Sequence, residues 1–210
     1  MRRKDKYFPQ VRCFKCVQIA AFLFLIVGIL SLIFSLNGVV FPLYAQIVTN
    51  DYFDPLRDQK LLTINEQYHL SKGKFYKRFR EGIVSGNFKL AIAELDFVLR
   101  YWPNHPKALL LMASIAKMKK DPNLADRYFR KALHFYPQHA MTHGQYGHFL
   151  VEVGRIEEGI KHLQEGIKIN EKLIVAYEWL GEAYSLRGDS KRAKDALAKA
   201  RHWREARGKK

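Results

Sequence analysis

Cysteine is nearly absent from this sequence of 210 residues, which contains only Cys13 and Cys16. No disulfide framework can therefore hold the chain beyond residue 16. The pair forms a C-x-x-C motif without a following histidine, which excludes a haem attachment signature. Two thiolates alone do not complete the four ligands of a tetrahedral zinc site. We expect two reduced thiols here, with no metal and no cofactor.

Catalytic signatures are also missing. The sequence has no P-loop, no Rossmann glycine set, no G-x-S-x-G and no H-E-x-x-H motif. His139, His143 and His148 are its most closely spaced histidines, but no acid or cysteine is placed to complete a metal site with them. These absences favour a protein that is not an enzyme.

Acidic residues are few: 20 Asp and Glu stand against 36 Lys and Arg, a net charge of +16. A basic chain is typical of proteins that bind nucleic acid, an anionic membrane surface or an acidic protein, although such charge also simply increases solubility. The chain ends in the strongly basic RHWREARGKK, of which 208–210 are treated as a basic tail. This end either contacts lipid phosphates or completes the last helix, where cations are favourable.

No charged residue occurs between Lys15 and Asp51. The most apolar part, Val17 to Leu36, has about the 20 residues that an α-helix needs to cross a bilayer. It is longer than the roughly 7–15 apolar residues of a cleaved signal peptide. The sequence therefore predicts a transmembrane signal-anchor helix over 16–40.

The charges on either side of this helix predict its orientation. Residues 1–15 carry six Lys or Arg and one Asp, whereas the other side has neither Lys nor Arg before Arg57. By the positive-inside rule the N-terminus lies in the cytoplasm and the rest of the chain outside it. We expect a single-pass protein of the inner membrane with a periplasmic domain, contact with membrane lipid and no binding of nucleic acid.

The predicted membrane helix carries small residues along one stripe. Small side chains let a second helix approach closely within lipid, although they are also common in membrane helices generally. The stripe is a candidate packing face for a membrane protein partner or for a second copy. Its members are Ala21, Gly28, Ser31, Ser35 and Gly38.

A repeat of fixed period fills the C-terminal two thirds of the chain. The stretches GRIEEGIKHLQEG (154–166) and GDSKRAKDALAKA (188–200) superpose when the sequence is shifted by one period, and two further units precede them. The units are 72–105, 106–139, 140–173 and 174–207, and 41–71 links them to the membrane helix. Each contains two apolar stripes at helical spacing, separated by a short turn. A fixed period of this size indicates a stacked array.

The last unit, VAYEWLGEAYSLRGDSKRAKDALAKA, resembles the tetratricopeptide repeat, a family whose units have the same length of about 34 residues. The positions that carry the resemblance are Leu180, Gly181, Tyr184, Gly188, Ala193, Leu197 and Ala200. Unit 106–139 lacks the turn glycine, and unit 72–105 departs most from the pattern. The resemblance implies an all-α fold: an N-terminal transmembrane helix followed by an α-solenoid of about four helix-turn-helix units.

The resemblance also implies a partner-binding groove lined by the first helix of each unit. The candidate residues are Tyr76, Arg80, Ile83, Lys107, Leu110, Ser114, Lys117, Met141, Gly144, His148, Val151, Glu178, Glu182 and Ser185. The near end of the groove is basic and aromatic and the far end is acidic, which suits an extended peptide or a helix carrying both signs of charge. The carboxylate clamp of some family members is absent, so recognition of chaperone C-termini is not expected.

These features predict a membrane-anchored scaffold or assembly factor that binds protein partners in a membrane or envelope complex. Two alternatives remain open at this point. One is a receptor or chaperone for translocated polypeptides, such as secretory or cytochrome maturation clients. The other is an organelle-surface receptor with the array in the cytosol.

Overall fold

The computed structural model describes residues 50–55, 57–71 and 73–208, and all regular structure in these ranges is helical. The predicted membrane helix over 16–40 and its stripe from Ala21 to Gly38 lie outside the described residues. None of the helices within the described ranges combines the length and apolar character that crossing a bilayer requires. The helices in the described ranges are α1 (Gln59–Asn65), α2 (Gly73–Val84), α3 (Phe88–Tyr101), α4 (Pro106–Met118), α5 (Pro122–Phe135), α6 (Ala140–Glu152), α7 (Ile156–Ile169), α8 (Ile174–Leu186) and α9 (Ser190–Gly208), with a π-helical turn at Glu66–Ser71.

Helices α2 to α9 form four pairs that follow one another along the chain. The first helices of the last three pairs begin at Pro106, Ala140 and Ile174, which are the opening residues of the last three sequence units. Each pair packs its two helices together and packs on the next pair. The predicted all-helical repeat fold is thereby confirmed.

The turn inside each pair requires a left-handed backbone at one position. Gly86, Gly154 and Gly188 have φ values of 70°, 84° and 83° there. The second pair has Lys120 at the equivalent position, with φ of 51°. Glycine adopts this conformation without a steric penalty, whereas a residue with a Cβ does not. The turn therefore keeps its geometry in all four pairs, and in the second pair lysine is strained.

Helix starts are marked by proline or by a side chain that caps the helix. Pro106 and Pro122 occupy the first turns of α4 and α5, where the missing N–H has no intrahelical partner to lose. The Nδ1 atoms of His105 and His139 accept hydrogen bonds from the backbone N–H of Ala108 and Thr142, at 3.3 and 3.2 Å. Histidine here performs the capping role that serine or aspartate usually performs.

Helices α6 and α7 approach most closely where two glycines meet. A Cβ added at Gly147 would lie 2.7 Å from Leu163 Cγ and 2.8 Å from the carbonyl oxygen of Gly159. A Cβ added at Gly159 would lie 2.6 Å from the carbonyl oxygen of Gly147. The absence of side chains at these two positions allows this helix crossing.

The core runs along the array in two clusters of buried side chains. One joins the first two pairs and the start of the third, and the other joins α6 and α7 to the last pair. Between the second and third pairs, the ring of Phe129 stacks on Tyr146 and Phe149 with centroids 5.1 and 5.7 Å away. Each pair thus covers the apolar side chains of the pair before it, as expected for units that cannot bury their own faces alone.

Residues 50–71, expected from the sequence to belong to a linker, pack against the first two pairs. Asp58 caps the start of helix α1, and its carboxylate accepts a hydrogen bond from Leu61 N at 2.8 Å. Leu62 and Leu70 are buried, each 2% exposed. Upstream, Asn50 N donates to the carbonyl oxygen of Tyr101 at 2.8 Å. This segment therefore extends the array by a further packed element.

Candidate protein-binding face

The four first helices, α2, α4, α6 and α8, form one face of the array, called the first-helix face below. Helices α4, α6 and α8 are neighbours along it, because α6 contacts both α4 and α8 directly. Arrays of stacked helix pairs use such surfaces for binding. All of the predicted partner-contact residues belong to first helices, and the structure brings some of them together but not others.

A chain of polar contacts crosses three units on this face. Lys117 of α4 forms an ion pair with Glu152 of α6. Glu152 lies 3.7 Å from His148 Nδ1, and His148 Nε2 lies 3.5 Å from the carboxylate of Glu182 in α8. Glu152, which was not predicted from the sequence, thus joins Lys117 to His148, and His148 in turn contacts Glu182.

An aromatic pair forms the centre of this chain of contacts. The rings of His148 and Trp179 are stacked, with centroids 4.6 Å apart and planes 16° apart. A Cβ at Gly144 would lie 3.4 Å from Trp179, an ordinary contact distance, so the indole lies directly against α6. The result is a partly exposed stacked pair flanked by acids on α6 and α8 and by a lysine on α4.

The part of the face on α2 and α4 differs from the prediction at Lys107 and Tyr76. Lys107 donates from Nζ to the carbonyl oxygen of Leu70 at 3.0 Å, so its ammonium holds the preceding segment in place. Tyr76 stacks on Phe79 at 6.1 Å and packs against the core. Arg80 is exposed and lines an open cavity of about 360 Å³ on α2.

Further along the face, Leu110 is 42% exposed and Ser114 is exposed next to it. Met141 is partly buried against the second core cluster, and Glu178 pairs with Arg204 of α9. The groups of the predicted set that remain on the surface beside the polar chain are therefore Leu110, Ser114 and Ser185.

Three residues expected on this face lie elsewhere: Ile83 packs against the first core cluster, Gly144 is buried, and Val151 is 3% exposed and belongs to the core. The neighbouring Glu152 lies on the face instead. A helix turns by about 100° per residue, so an error of one position in phase exchanges a buried for an exposed side chain. The pairing of Glu152 with Lys117 depends on how α6 is rotated about its own axis relative to α4. The sequence of α6 alone does not give this rotation.

A second set of polar residues joins units away from this face. Asp126 of α5 accepts hydrogen bonds from Tyr146 Oη at 2.6 Å and from Arg155 Nη1 at 2.7 Å. Burial raises the pKa of the Asp126 carboxyl, but the hydrogen bonds from Tyr146 and Arg155 outweigh it and the pKa is lowered. Burial and the bond to this carboxylate raise the pKa of Tyr146 to about 12. These groups are ionised aspartate and neutral tyrosine at neutral pH, and their role is to hold the second and third units together.

Two of the closely spaced histidines, His139 and His143, occupy structural positions, whereas His148 lies on the first-helix face. His143 Nδ1 lies 3.1 Å from His162 Nδ1, and His143 Nε2 lies 3.0 Å from the carbonyl oxygen of Pro137. Burial, with a further contribution from His143, lowers the pKa of His162 to about 4. Within the described ranges no group of three or more metal-ligating side chains occurs.

This chain is similar to known proteins in its fold only. No protein-family model matches the sequence. A search of curated proteins also finds no match. Among solved structures, MamA is similar over 72% of this chain and 86% of its own, with 20% identity and a TM-score of 0.50.

Two further similar structures, PilF and YrrB, have TM-scores below 0.5. PilF of Pseudomonas aeruginosa matches over 61% of this chain and 59% of its own, with 25% identity and a TM-score of 0.48. YrrB, described as a TPR protein with an unusual peptide-binding site, matches over 69% and 73%, with 17% identity and a TM-score of 0.46.

The likeness to MamA agrees with what the helices themselves show. Four antiparallel pairs, first helices that recur at the period of the sequence units and a left-handed turn residue at each equivalent position are the features of the repeat identified in the sequence. The chain is therefore a helical-repeat protein with the tetratricopeptide fold.

Proposed function

We propose that this protein is a non-enzymatic scaffold that binds a protein partner on its first-helix face. The observation that carries the proposal is the chain of contacts from Lys117 through Glu152 and His148 to Glu182, with Trp179 stacked at its centre. It joins three units into one continuous surface. A partner that lies across it would contact all three units at once.

The chemistry of this surface defines the kind of partner. Lys117 and Glu152 have side chains 36% and 28% exposed, and Glu182 is 51% exposed. Such half-exposed charges are available to a ligand without a large desolvation penalty, and a stacked aromatic between them offers apolar contact area. An extended peptide or a helix with an acidic group near Lys117 and a basic group near Glu182 fits this arrangement.

The sequence supports a more specific proposal about where the scaffold acts. We propose that 16–40 anchor the protein in the inner membrane and that the array lies in the periplasm, because the N-terminal flank is basic. The partner would then be a subunit of a membrane or envelope complex, and the stripe that includes Gly28, Ser31 and Ser35 would provide a second contact within the bilayer.

The test uses the full-length protein in its native membrane. A photoreactive amino acid at Ser114, on the first-helix face, is compared with one at Lys161, an exposed position on α7. We expect one abundant crosslinked protein from Ser114 and not from Lys161. Glu182→Lys should abolish the crosslink, whereas Glu171→Lys, the same charge change at an exposed turn position, should leave it intact. Identical products from both crosslinking positions would contradict the proposal.

An exchange of the membrane helix for an unrelated one separates the two roles. If one stoichiometric membrane partner is lost on the exchange, the protein is a subunit of a membrane complex. If the Ser114 crosslinks persist and consist of many substoichiometric polypeptides that a competing peptide displaces, the protein is a receptor for translocated clients instead.

A further inference from the structure

The C-terminal end of the array leaves a groove between α8 and α9 with a volume of about 340 Å³. In the described part of the chain no further helix pair follows to cover it. The groove is lined by Glu178, Lys194, Leu197, Ala200, Arg201 and Arg204. It is separate from the polar chain on the first-helix face.

The repeat shows what the equivalent groove of each earlier pair does. Leu197 corresponds, at steps of one repeat unit, to Leu163, Phe129 and Leu95. These three side chains are 0% exposed, because the next pair covers them, whereas Leu197 is 43% exposed. Phe129, for example, is covered by the rings of Tyr146 and Phe149. The position that elsewhere receives the first helix of the next pair is therefore open at this end.

The charge around the open groove differs from that of the covered ones. The earlier units have Ile92, Asp126 and Ile160 at the position of Lys194. Asp126 is the carboxylate that accepts hydrogen bonds from the following pair. It is the one charged residue at this position in the earlier units, and Lys194 carries the opposite charge. Arg201 likewise stands where the earlier pairs have Leu99, Leu133 and Ile167. A helix that follows the geometry of the array would meet cations where the internal pairs offer acid or apolar groups.

Neither cation is neutralised by the residues that the structure describes. The ion pairs among them include Arg204 with Glu178 but none made by Lys194 or Arg201. A terminal unit needs a polar outer face for solubility. That need does not account for a half-exposed leucine at the floor of a groove whose unpaired charges have one sign.

We infer that this groove binds an acidic amphipathic helix of a partner protein, which packs as the first helix of a fifth pair would. Its apolar side chains cover Leu197, as Tyr146 and Phe149 cover Phe129. Its carboxylates pair with Lys194 and Arg201. The inference rests on the equivalence of the repeats and on charge complementarity, so it does not depend on the function proposed for the first-helix face.

The test measures binding of two matched peptides to the full-length protein in mild detergent by fluorescence anisotropy. Both peptides are helix-stabilised and have apolar residues at the i, i+3 spacing of Tyr146 and Phe149. One carries glutamate on both flanks of the apolar stripe, and the other carries lysine. We expect saturable binding of the acidic peptide and at least tenfold weaker binding of the basic one.

Variants of α9 locate the binding site. The double variant Lys194→Glu with Arg201→Glu should weaken the acidic peptide at least tenfold and improve the basic one. The control, Lys191→Glu with Lys199→Glu, changes the same charge at exposed positions of the same helix outside the groove and should stay within twofold. Leu197→Ser should weaken the acidic peptide about fivefold.

Three results of the peptide-binding measurements would overturn the inference. They are no saturable binding of the acidic peptide, equal binding of both peptides, and equal effects of the groove and control variants. A concentration-dependent dimer that is lost in Leu197→Ser, without peptide binding, would assign the groove to a second copy and also overturn it.

Discussion

The contact between Gly147 and Gly159 predicts that alanine has opposite effects at two glycines of one helix. In Gly147→Ala the new methyl group would lie 2.7 Å from Leu163 Cγ, 2.8 Å from Gly159 O and 2.9 Å from Leu163 N. Two of these atoms belong to the backbone, so a change of rotamer cannot relieve the overlap and α6 must move away from α7. Overpacking of this kind costs up to about 3 kcal/mol, against about 1 kcal/mol gained by replacing a helical glycine with alanine. We expect Gly147→Ala to lose about 2 kcal/mol of unfolding free energy.

Gly144 provides the matched control, because it is buried one turn earlier in the same helix. An added Cβ there would have its nearest neighbours at 3.4, 3.5 and 3.8 Å, which are ordinary contact distances. Gly144→Ala should therefore keep the gain in helix propensity, about 0.5–1 kcal/mol. The two variants should differ by about 3 kcal/mol, or roughly 6–12 °C in the midpoint of thermal unfolding for a domain of this size.

The measurement is thermal and urea unfolding of the full-length chain in mild non-ionic detergent, followed by circular dichroism in the far ultraviolet. Gly181→Ala provides an intermediate case. Its Cβ would lie 2.8 and 2.9 Å from side-chain atoms of Leu197, which is half-exposed and free to move outward. Its loss should be smaller than that of Gly147→Ala. If Gly147→Ala and Gly144→Ala shift the midpoint in the same direction, the close approach does not control the stability of this helix pair.

Three further predictions concern a buried histidine, the strained turn and the bonds between units. Burial, partly opposed by Glu66, lowers the pKa of His105 from 6.5 to about 4. The unfolded chain therefore takes up a proton between these pH values, and stability should fall by about 3 kcal/mol as the pH drops through this range. His105→Asn, which keeps the capping acceptor, should flatten the curve in urea titrations, and an unchanged slope would refute the assignment. Lys120→Gly removes a side chain from a left-handed position with φ of 51° and should raise the unfolding free energy by about 1 kcal/mol; a drop in the urea midpoint would contradict this. Tyr146→Phe deletes the 2.6 Å bond to Asp126 but keeps the ring and should cost about 1 kcal/mol, with no loss of stability as the contrary result.

The sequence predicted the parts of the structure that depend on periodicity. The repeat period, the turns at Gly154 and Gly188, and the use of small residues where helices meet are all properties that each unit must satisfy on its own. They recur, and recurrence makes them visible in one sequence. Lys120 was recognised as a departure because the other units have glycine at that position.

The parts that were missed depend on contacts between unlike elements. Residues 50–71 have no counterpart in the repeat, so nothing in the sequence predicted that Leu62 and Leu70 would be buried. Glu152 was missed because the rotation of α6 about its own axis is fixed by packing on α4 and α7. The polar contacts of Asp126 likewise depend on which side chains the following unit presents. Such contacts follow from the three-dimensional arrangement of the units.

The attachment of Asn50 and Tyr52 has a mechanical consequence. Asn50 bonds to Tyr101, and Tyr52 N donates to Asn104 Oδ1 at 2.9 Å, so the described chain starts at the junction between the first two pairs. A pulling force applied through the N-terminal side of the chain would be transmitted first to this junction, and α2 and α3 would lie within a closed loop that bears no load. The first pair is then protected from peeling away under tension until these bonds break, and the array resists force as a unit of at least two pairs.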